Sequence, residues 1–509
     1  MNKNHTVGNS GTGPGDIRRN KQKTVSKQVS AHFRAHPVIR TALIGFALAT
    51  LHSCVPTLET VQEDTTVPVA YAQQRADTLN AAKIRWKDYF SDPYLDSLIA
   101  TALKNNQELN ITLQELEIAK SEVRARKGEY LPFIGLGGGA GLDKKARYTS
   151  LGASEATTDI KPGKEMPEPL PDYIIGARAT WELDIWNKLH NAKKAAVSRY
   201  LSSVEGKNFV VTNLIAEIAD SYYELLALDN QLEIVRQNID IQTNALRIVK
   251  LQKEAARVTE LAVQKFEAEV LHTRSLEYDL RQKITETENR INFLAGRYPQ
   301  PVKRNAETFS RLDIDDIHSG LPADLLENRP DIRQAELELA ASRLDVKVAR
   351  ARFYPSLGIS ASIGYQAFNP KYLLRTPESL LYSVAGDITA PLINRNEIKA
   401  TYYSANARQI QAVYNYERTL LTAYIEVANQ LAKIDNIGRS YELKSKEVEA
   451  LNKSIDISNT LFKSARADYM EVLMTQRDAL ESRFELVETK MQQMSAMVDV
   501  YRALGGGWQ

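Results

Sequence analysis

The segment "SLGISASIGY", residues 356–365, alternates without a break. In an extended chain Leu357, Ile359, Ala361, Ile363 and Tyr365 share one face, and Ser356, Gly358, Ser360, Ser362 and Gly364 share the other. "YIIGARATWEL" (173–183) sets Tyr173, Ile175, Ala177, Ala179, Trp181 and Leu183 against Gly176, Arg178, Thr180 and Glu182. "YSVAGDITAPL" (382–392) sets Tyr382, Val384, Ile388 and Leu392 against Ser383, Asp387 and Thr389. Strands apolar on one face and small or charged on the other, with aromatic residues near their ends, suit a membrane barrel with a wet interior. A water-soluble sandwich alternates in the same way, with its apolar face inward. The chain offers only four such strands, in pairs at 131–183 and 355–392 and joined through long helices. Four strands do not close a barrel, so closure requires several chains. In that arrangement Arg178 and Asp387, on the small-residue face, line the lumen.

Outside the strands the period changes to that of helices. Leu225, Leu228, Leu232, Val235, Ile239, Leu246 and Val249 keep 3,4-spacing, with Gln242 as one polar interruption, and Val448, Leu451, Ile455 and Phe462 keep the same beat. No proline occurs in 206–297 or 393–509. These spans predict helical hairpins at 187–297 and 396–504, with arms of ~50 residues reaching ~75 Å. Locally, a plain antiparallel coiled coil explains this pattern as well.

The elements recur in one order. "YLPFIGLGGGAG" (130–141) is answered by "FYPSLGISASIG" (353–364), with Pro132 and Pro355 223 positions apart. "FLAG" ending at Gly296 is answered by "RALG" ending at Gly505. The chain therefore divides into a first repeat at 86–300, a linker at 301–325 and a second repeat at 326–509. The links 143–172 and 366–378 are polar and read as exposed loops at one end of the barrel.

The amino terminus carries a different signal. Residues 1–40 hold eight Lys/Arg against the single acid Asp16, and an apolar run follows at 41–51, too short to span a bilayer. Leu51-His52-Ser53-Cys54 resembles the lipobox of bacterial lipoproteins. The expectation is a signal peptide at 1–53 and a tail at 54–85 lipidated at Cys54, the only cysteine, which excludes an internal disulfide.

Composition and motifs argue against other classes. With 43% hydrophobic and 25% charged residues and a net charge of +2, the chain is ordinary globular protein without a nucleic-acid signature. His190, His272 and His318 lack metalloenzyme spacing. "GLGGGA" (135–140) nearly fits a dinucleotide fingerprint, but it follows a proline and lies inside a strand. "NRPDIRQAE" (328–336) reads as a helix start, with Pro330 in the first turn and Asp331 at the positive end. Trp181 suits an interfacial anchor, and Trp186 suits packing. No catalytic residue, cofactor or metal site is expected.

"WKDYFSDPYLDSLIATALKNN" (86–106), "WELDIWNK" (181–188), "ENRPDIRQAE" (327–336), "ARFYPSLGISASIG" (351–364) and "YRALGGGW" (501–508) together resemble outer-membrane efflux channels of the TolC type, in the OprM/NodT-like lipoprotein branch. Two places depart from that branch: Ile393-Asn394 replaces the usual Phe-Asp-Gly-Gly turn, and the glycine of the first hairpin tip is replaced near Arg257. The resemblance implies a mainly α fold with a membrane β-barrel, built as a homotrimer. Its twelve strands would form the outer-membrane barrel, and its helical hairpins a periplasmic tunnel. Such a channel exports small solutes (drugs, other toxic compounds or metal ions) with a periplasmic adaptor protein and an inner-membrane RND-type pump. It does no chemistry and binds no nucleic acid. The resemblance further places a periplasmic gate at the turn 464–468, with Met470, Glu471, Met474 and Arg477 as its residues. Two other readings are the exit duct of a type I protein-secretion system, which shares the fold, and a coiled-coil periplasmic lipoprotein adaptor, which has no barrel.

Overall fold

The computed structural model describes residues 55–71, 80–311, 319–391, 393, 395–464 and 466–509. The signal, the lipobox, Cys54 and His318 lie outside the described residues.

Two short helices, α1 (Pro93–Asn105) and α2 (Gln107–Glu129), lead into strand β1 (Phe133–Asp143). Strand β2 (Leu170–Leu183) returns, and helices α3 (Lys188–Glu254) and α4 (Glu260–Leu294) form the first hairpin. The second repeat follows with α5 (Pro330–Ala351), β3 (Ser356–Ala367), β4 (Leu380–Thr389), α6 (Asn396–Lys463) and α7 (Tyr469–Ala503).

The four long strands form one antiparallel sheet in the order of the chain. The middle pairing joins the repeats and sets the apolar faces in register: Ile175 opposes Tyr365, Ala177 opposes Ile363 and Trp181 opposes Ile359. Ile363 in turn opposes Tyr382, and Ala361 opposes Val384. Because side chains alternate with a period of two, this register puts the strand-paired apolar residues of the alternating sets on one side of the sheet. That side is bare: Leu136 is 89% exposed and Val384 78%. β1 and β4 are the sheet's outer strands, each paired on one side only.

The helical arms differ from the expected equal lengths. α3 has 67 residues and α6 has 68, whereas α4 and α7 have 35 each. Each short arm is completed end to end by the short helix of a repeat. The Asn106 side chain caps α2 by accepting from the Leu109 N–H at 2.9 Å, and its Nδ2 donates to the last carbonyl of α4, Leu294, at 2.9 Å. At the equivalent joint, Arg329 donates to the last carbonyl of α7, Ala503, at 2.9 Å. Both short arms end in the same cap, with Gly296 and Gly505 in the left-handed region at φ 66° and 88°. A Cβ at Gly296 would lie 2.3 Å from the Asn105 carbonyl oxygen, and one at Gly505 would lie 2.6 Å from that of Asn328. Asn105 and Asn328 are 223 positions apart, the offset already seen between the strand-initiating prolines. The composite arms α4–α2 and α7–α5 thus run alongside α3 and α6 over most of their length.

The core collects at these joints. Tyr222, Ile215, Leu225, Leu226 and Ile291 are buried with Phe90, Leu95 and Ile99, and Val302 and Phe309 of the stretch joining the repeats are buried among them. Residues 55–71 run as a strap along α5 and α6. Val55 and Leu58 pack beside Ala349, Phe353 and Tyr402, Val61 beside Leu339 and Val413, and Tyr71 beside Leu325 and Leu431.

The link 143–172 is more than the expected open loop. It contains a helix, Ser150–Ala156, and a small hairpin of Asp159–Lys161 with Lys164–Glu165. Lys161 sits over the Tyr372 ring at 3.9 Å, tying this link to the one between β3 and β4. No helix among the described residues is long and apolar enough to cross a membrane.

Candidate functional site

Two regions carry the residues singled out from the sequence: the face of the sheet opposite its apolar side, and the tip of the second hairpin. On the sheet, Arg178 opposes Ser362, which opposes Ser383. Glu182 opposes Gly358, which opposes Asp387. Gly358 makes room for the acid, since a Cβ there would meet the Asp387 carboxylate at 2.8 Å. Glu182 is ion-paired with Lys188 at the start of α3. Glycine and serine are the commonest residues of this face, and Arg178, Glu182 and Asp387 are among its larger side chains, with Phe133 and Ile174.

Where the strands meet the helices, aromatic residues gather. Trp181 donates its indole N–H to the Tyr130 carbonyl at 3.1 Å. Trp186 stacks on Tyr354 at 4.7 Å and donates to the Pro355 carbonyl at 2.7 Å. Phe353 meets Tyr402 edge-on at 5.4 Å.

At the hairpin tip, α6 ends at Lys463 and α7 begins at Tyr469. Val472 is buried against Val249, Ala262, Val263 and Phe266, so it faces the tip of the first hairpin. Helical geometry then turns Met470, Met474 and Arg477, at i, i+4 and i+7, along another side. Met470 is 38% exposed and Met474 52%, and Glu471 and Arg477 are also exposed. Glu471 and Met474 line a 390 Å³ cleft with Ser458, Leu461 and Asp478. Met470 and Arg477 do not line it. Glu471 and Arg477 do not pair with each other: six residues apart on a helix, they point about 120° apart around its axis. Asp478 was not anticipated, although its place seven residues after Glu471 on the same helix face was the available signal. The first hairpin tip also shows its sequence departure. Ala256 adopts φ 54°, a conformation that costs an L-residue roughly 1–2 kcal/mol and suits glycine.

Between these regions α3, α5 and α6 enclose a polar trough of 1280 Å³, lined by Arg199, Glu338, Asp345, Arg352, Arg408 and Arg418 among others. Arg199 bridges Glu338 at 3.4 Å and is also paired with Asp345. The strap binds another stripe of α5, where Arg343 pairs with Glu63. Below the trough, Asp220 of α3 accepts a 2.9 Å hydrogen bond from Ser495 of α7. Burial pushes its carboxyl up to about 6, the Ser495 hydroxyl opposes the rise, and Asp499 adds to it.

The family model described as outer membrane efflux protein matches residues 98–297 and 321–506. The pyoverdine export outer membrane protein OpmQ of Pseudomonas aeruginosa is 29% identical over 460 residues, covering 90% of this chain and 95% of that protein. The cation efflux system protein CusC of Escherichia coli is 25% identical over 450 residues, covering 87% and 93%. In fold, the open-state MtrE outer membrane channel of Neisseria gonorrhoeae aligns with a TM-score of 0.78 at 21% identity, over 90% of this chain and 99% of its own. A membrane protein of Pseudomonas aeruginosa aligns with a TM-score of 0.79 at 24% identity, over 88% and 99%. The two matched segments fall on the two structural repeats, and the chain belongs to the outer membrane efflux protein family.

Proposed function

We propose that three copies of this chain form the outer-membrane exit duct of a tripartite efflux system. The carrying observation is the sheet: four strands, a bare apolar face, and outer strands β1 and β4 that lack a second partner. Unpaired strand edges are prohibitively costly in lipid, and closing twelve strands around a common axis removes them. The apolar face meets lipid, and the glycine- and serine-rich face encloses water. Arg178 and Asp387 then line the barrel lumen, and the polar trough of α3, α5 and α6 becomes tunnel wall. The duct conducts small solutes and does no chemistry of its own. A periplasmic adaptor and an inner-membrane RND-type pump supply cargo and energy. Support for small-solute export comes from the relatives, which are named for pyoverdine and cation export.

The test is side-chain access in the assembled channel. A cysteine replacing Arg178 should react with a membrane-impermeant thiol reagent, and one replacing Ile359 should be protected by lipid. The opposite pattern, or equal reaction at both, would overturn the barrel.

Two further assignments belong to this reading. Met470, Glu471, Met474 and Arg477 form the periplasmic gate, drawn together around the three-fold axis. Cys54 is acylated and anchors the mature chain. The strap supports the anchor, because Val55 packs at the helix-to-strand junction beside Phe353 and Tyr402, where a membrane surface would lie. Mass spectrometry of the purified protein should find acyl groups on Cys54, and an unmodified amino terminus downstream of it would sink this assignment.

A further inference from the structure

We propose that Lys347, Arg350 and Lys399 form a docking patch for the phosphate headgroups of anionic phospholipids. The inference rests on the barrel reading above, which puts the helix-to-strand junction at the periplasmic membrane surface.

The junction is marked by the aromatic cluster of Tyr130, Trp181, Trp186 and Tyr354. Aromatic residues of this kind sit at membrane interfaces. Cations recur at the same distance beneath it in both repeats. Arg124 and Lys127 precede the start of β1 by nine and six residues, and Lys347 and Arg350 precede the start of β3 by the same intervals. On a helix, those intervals correspond to roughly 10 Å below the strands, the depth of the headgroup layer. All four side chains are exposed, and among the described residues none of them makes an ion pair.

The second-repeat pair lies on the side of the molecule that carries the strap. Arg343, which pairs with Glu63 of the strap, is followed at i+4 and i+7 by Lys347 and Arg350. On α6, Lys399 precedes Tyr402 and Asn406 by three and seven residues. Tyr402 packs with Val55 and Leu58, and Asn406 donates to the Glu59 carbonyl at 3.2 Å. The three cations therefore flank the upper end of the strap. The nearby acids are engaged elsewhere or oriented away. Asp345 pairs with Arg199, and Glu397 lines the trough. Glu59 of the strap is an exposed carboxylate.

Local helix physics accounts for part of this pattern only. Cations near a helix C-terminus complement its dipole, which serves Lys127 and Arg350. Lys399 stands near the N-terminus of α6, where a cation is disfavoured. A residue that breaks the local rule without a partner among the described residues points to one outside the chain. A basic patch beside an acylated amino terminus would add an electrostatic contact with anionic lipid.

The test uses the full-length channel in detergent, titrated with mixed micelles carrying fluorescent phosphatidylglycerol or phosphatidylcholine. The wild type should prefer phosphatidylglycerol by about tenfold at low salt and lose that preference at high salt, as expected for a few Lys/Arg at an anionic surface. K347Q/R350Q/K399Q should abolish the preference, and K347R/R350K/K399R should keep it. A glutamine variant that retains the preference, or a wild type without one, overturns the proposal. Displacement of phosphatidylglycerol by equimolar inorganic phosphate assigns a phosphate site instead and also overturns it. If the glutamine variant does not assemble, the salt titration of the wild type and the charge-conserving K347R/R350K/K399R variant decide. Conductance in planar bilayers separates the two levels. A channel that conducts without lipid preference refutes this inference alone, and one that never inserts refutes the barrel.

Discussion

Met470 and Met474 set the energetics expected of the proposed gate. They are 38% and 52% exposed in the single chain, and closure around an axis would cover that surface. Fully burying such a side chain contributes ~1.5–3 kcal/mol. An exposed ion pair contributes ~0–1 kcal/mol and weakens with salt. The apolar term therefore dominates, and the closed state should depend little on ionic strength. The three Glu471 carboxylates of a trimer add repulsion unless Arg477 of a neighbour or a cation relieves it. In single-channel recordings, Glu471→Ala with Arg477→Ala should raise the resting conductance, and Met470→Ala should raise it further. A closed, wild-type channel in all of these variants would move the gate elsewhere.

At the scale of elements, the joint between α7 and α5 is the place where one side chain holds two helices. Arg329 is 5% exposed. It grips Asp331 through two hydrogen bonds at 3.0 and 2.7 Å, Glu426 of α6 at 2.7 Å, and the Ala503 carbonyl. Without Arg329 the Asp331 carboxylate, 18% exposed, and the Ala503 carbonyl lose their partner, while Glu426, 47% exposed, turns to water, so the cost lies below the ~3–5 kcal/mol of a fully buried pair. Arg329→Ala should accordingly lower the thermal midpoint by several degrees. Arg126→Ala, at an exposed pair with Glu122 and Glu129, should shift it by at most a degree or so. Circular dichroism melts of both variants would check this, and equal midpoints would remove Arg329 from its structural role.

For the whole molecule, the decisive contact is between chains. β1 and β4 stand at opposite edges of the sheet, separated by β2 and β3. At about 4.8 Å per strand spacing they are ~14 Å apart within a chain, too far for a disulfide. Leu136→Cys combined with Tyr382→Cys or Val384→Cys should therefore form disulfides only between chains. Oxidation should then give bands of two and three chains on denaturing gels for at least one pairing. Monomer bands alone across a scan of β1 against β4 would exclude the closed trimer.

The sequence by itself determined the fold class, the repeat order and the strand faces. Alternation at 173–183 and 356–365 has a period of two, so the side of each residue follows from its number, and the observed register preserves it. The proline-free spans likewise announced the two hairpins. The lengths of the arms were not legible, because heptad spacing says that a helix has partners without saying how many pieces a partner has. The joints at Gly296 and Gly505 depend on contacts to Asn105 and Asn328, far away in the chain, and a cap with a distant partner leaves only a glycine in the local pattern. The cleft shared by Glu471, Met474 and Asp478 needs α6 laid against α7 in one particular register. The patch of Lys347, Arg350 and Lys399 needs the strap to lie between α5 and α6. Tertiary structure decided these features because each is a meeting of residues from separate elements. Periodicity specifies a face, and only packing specifies what that face meets.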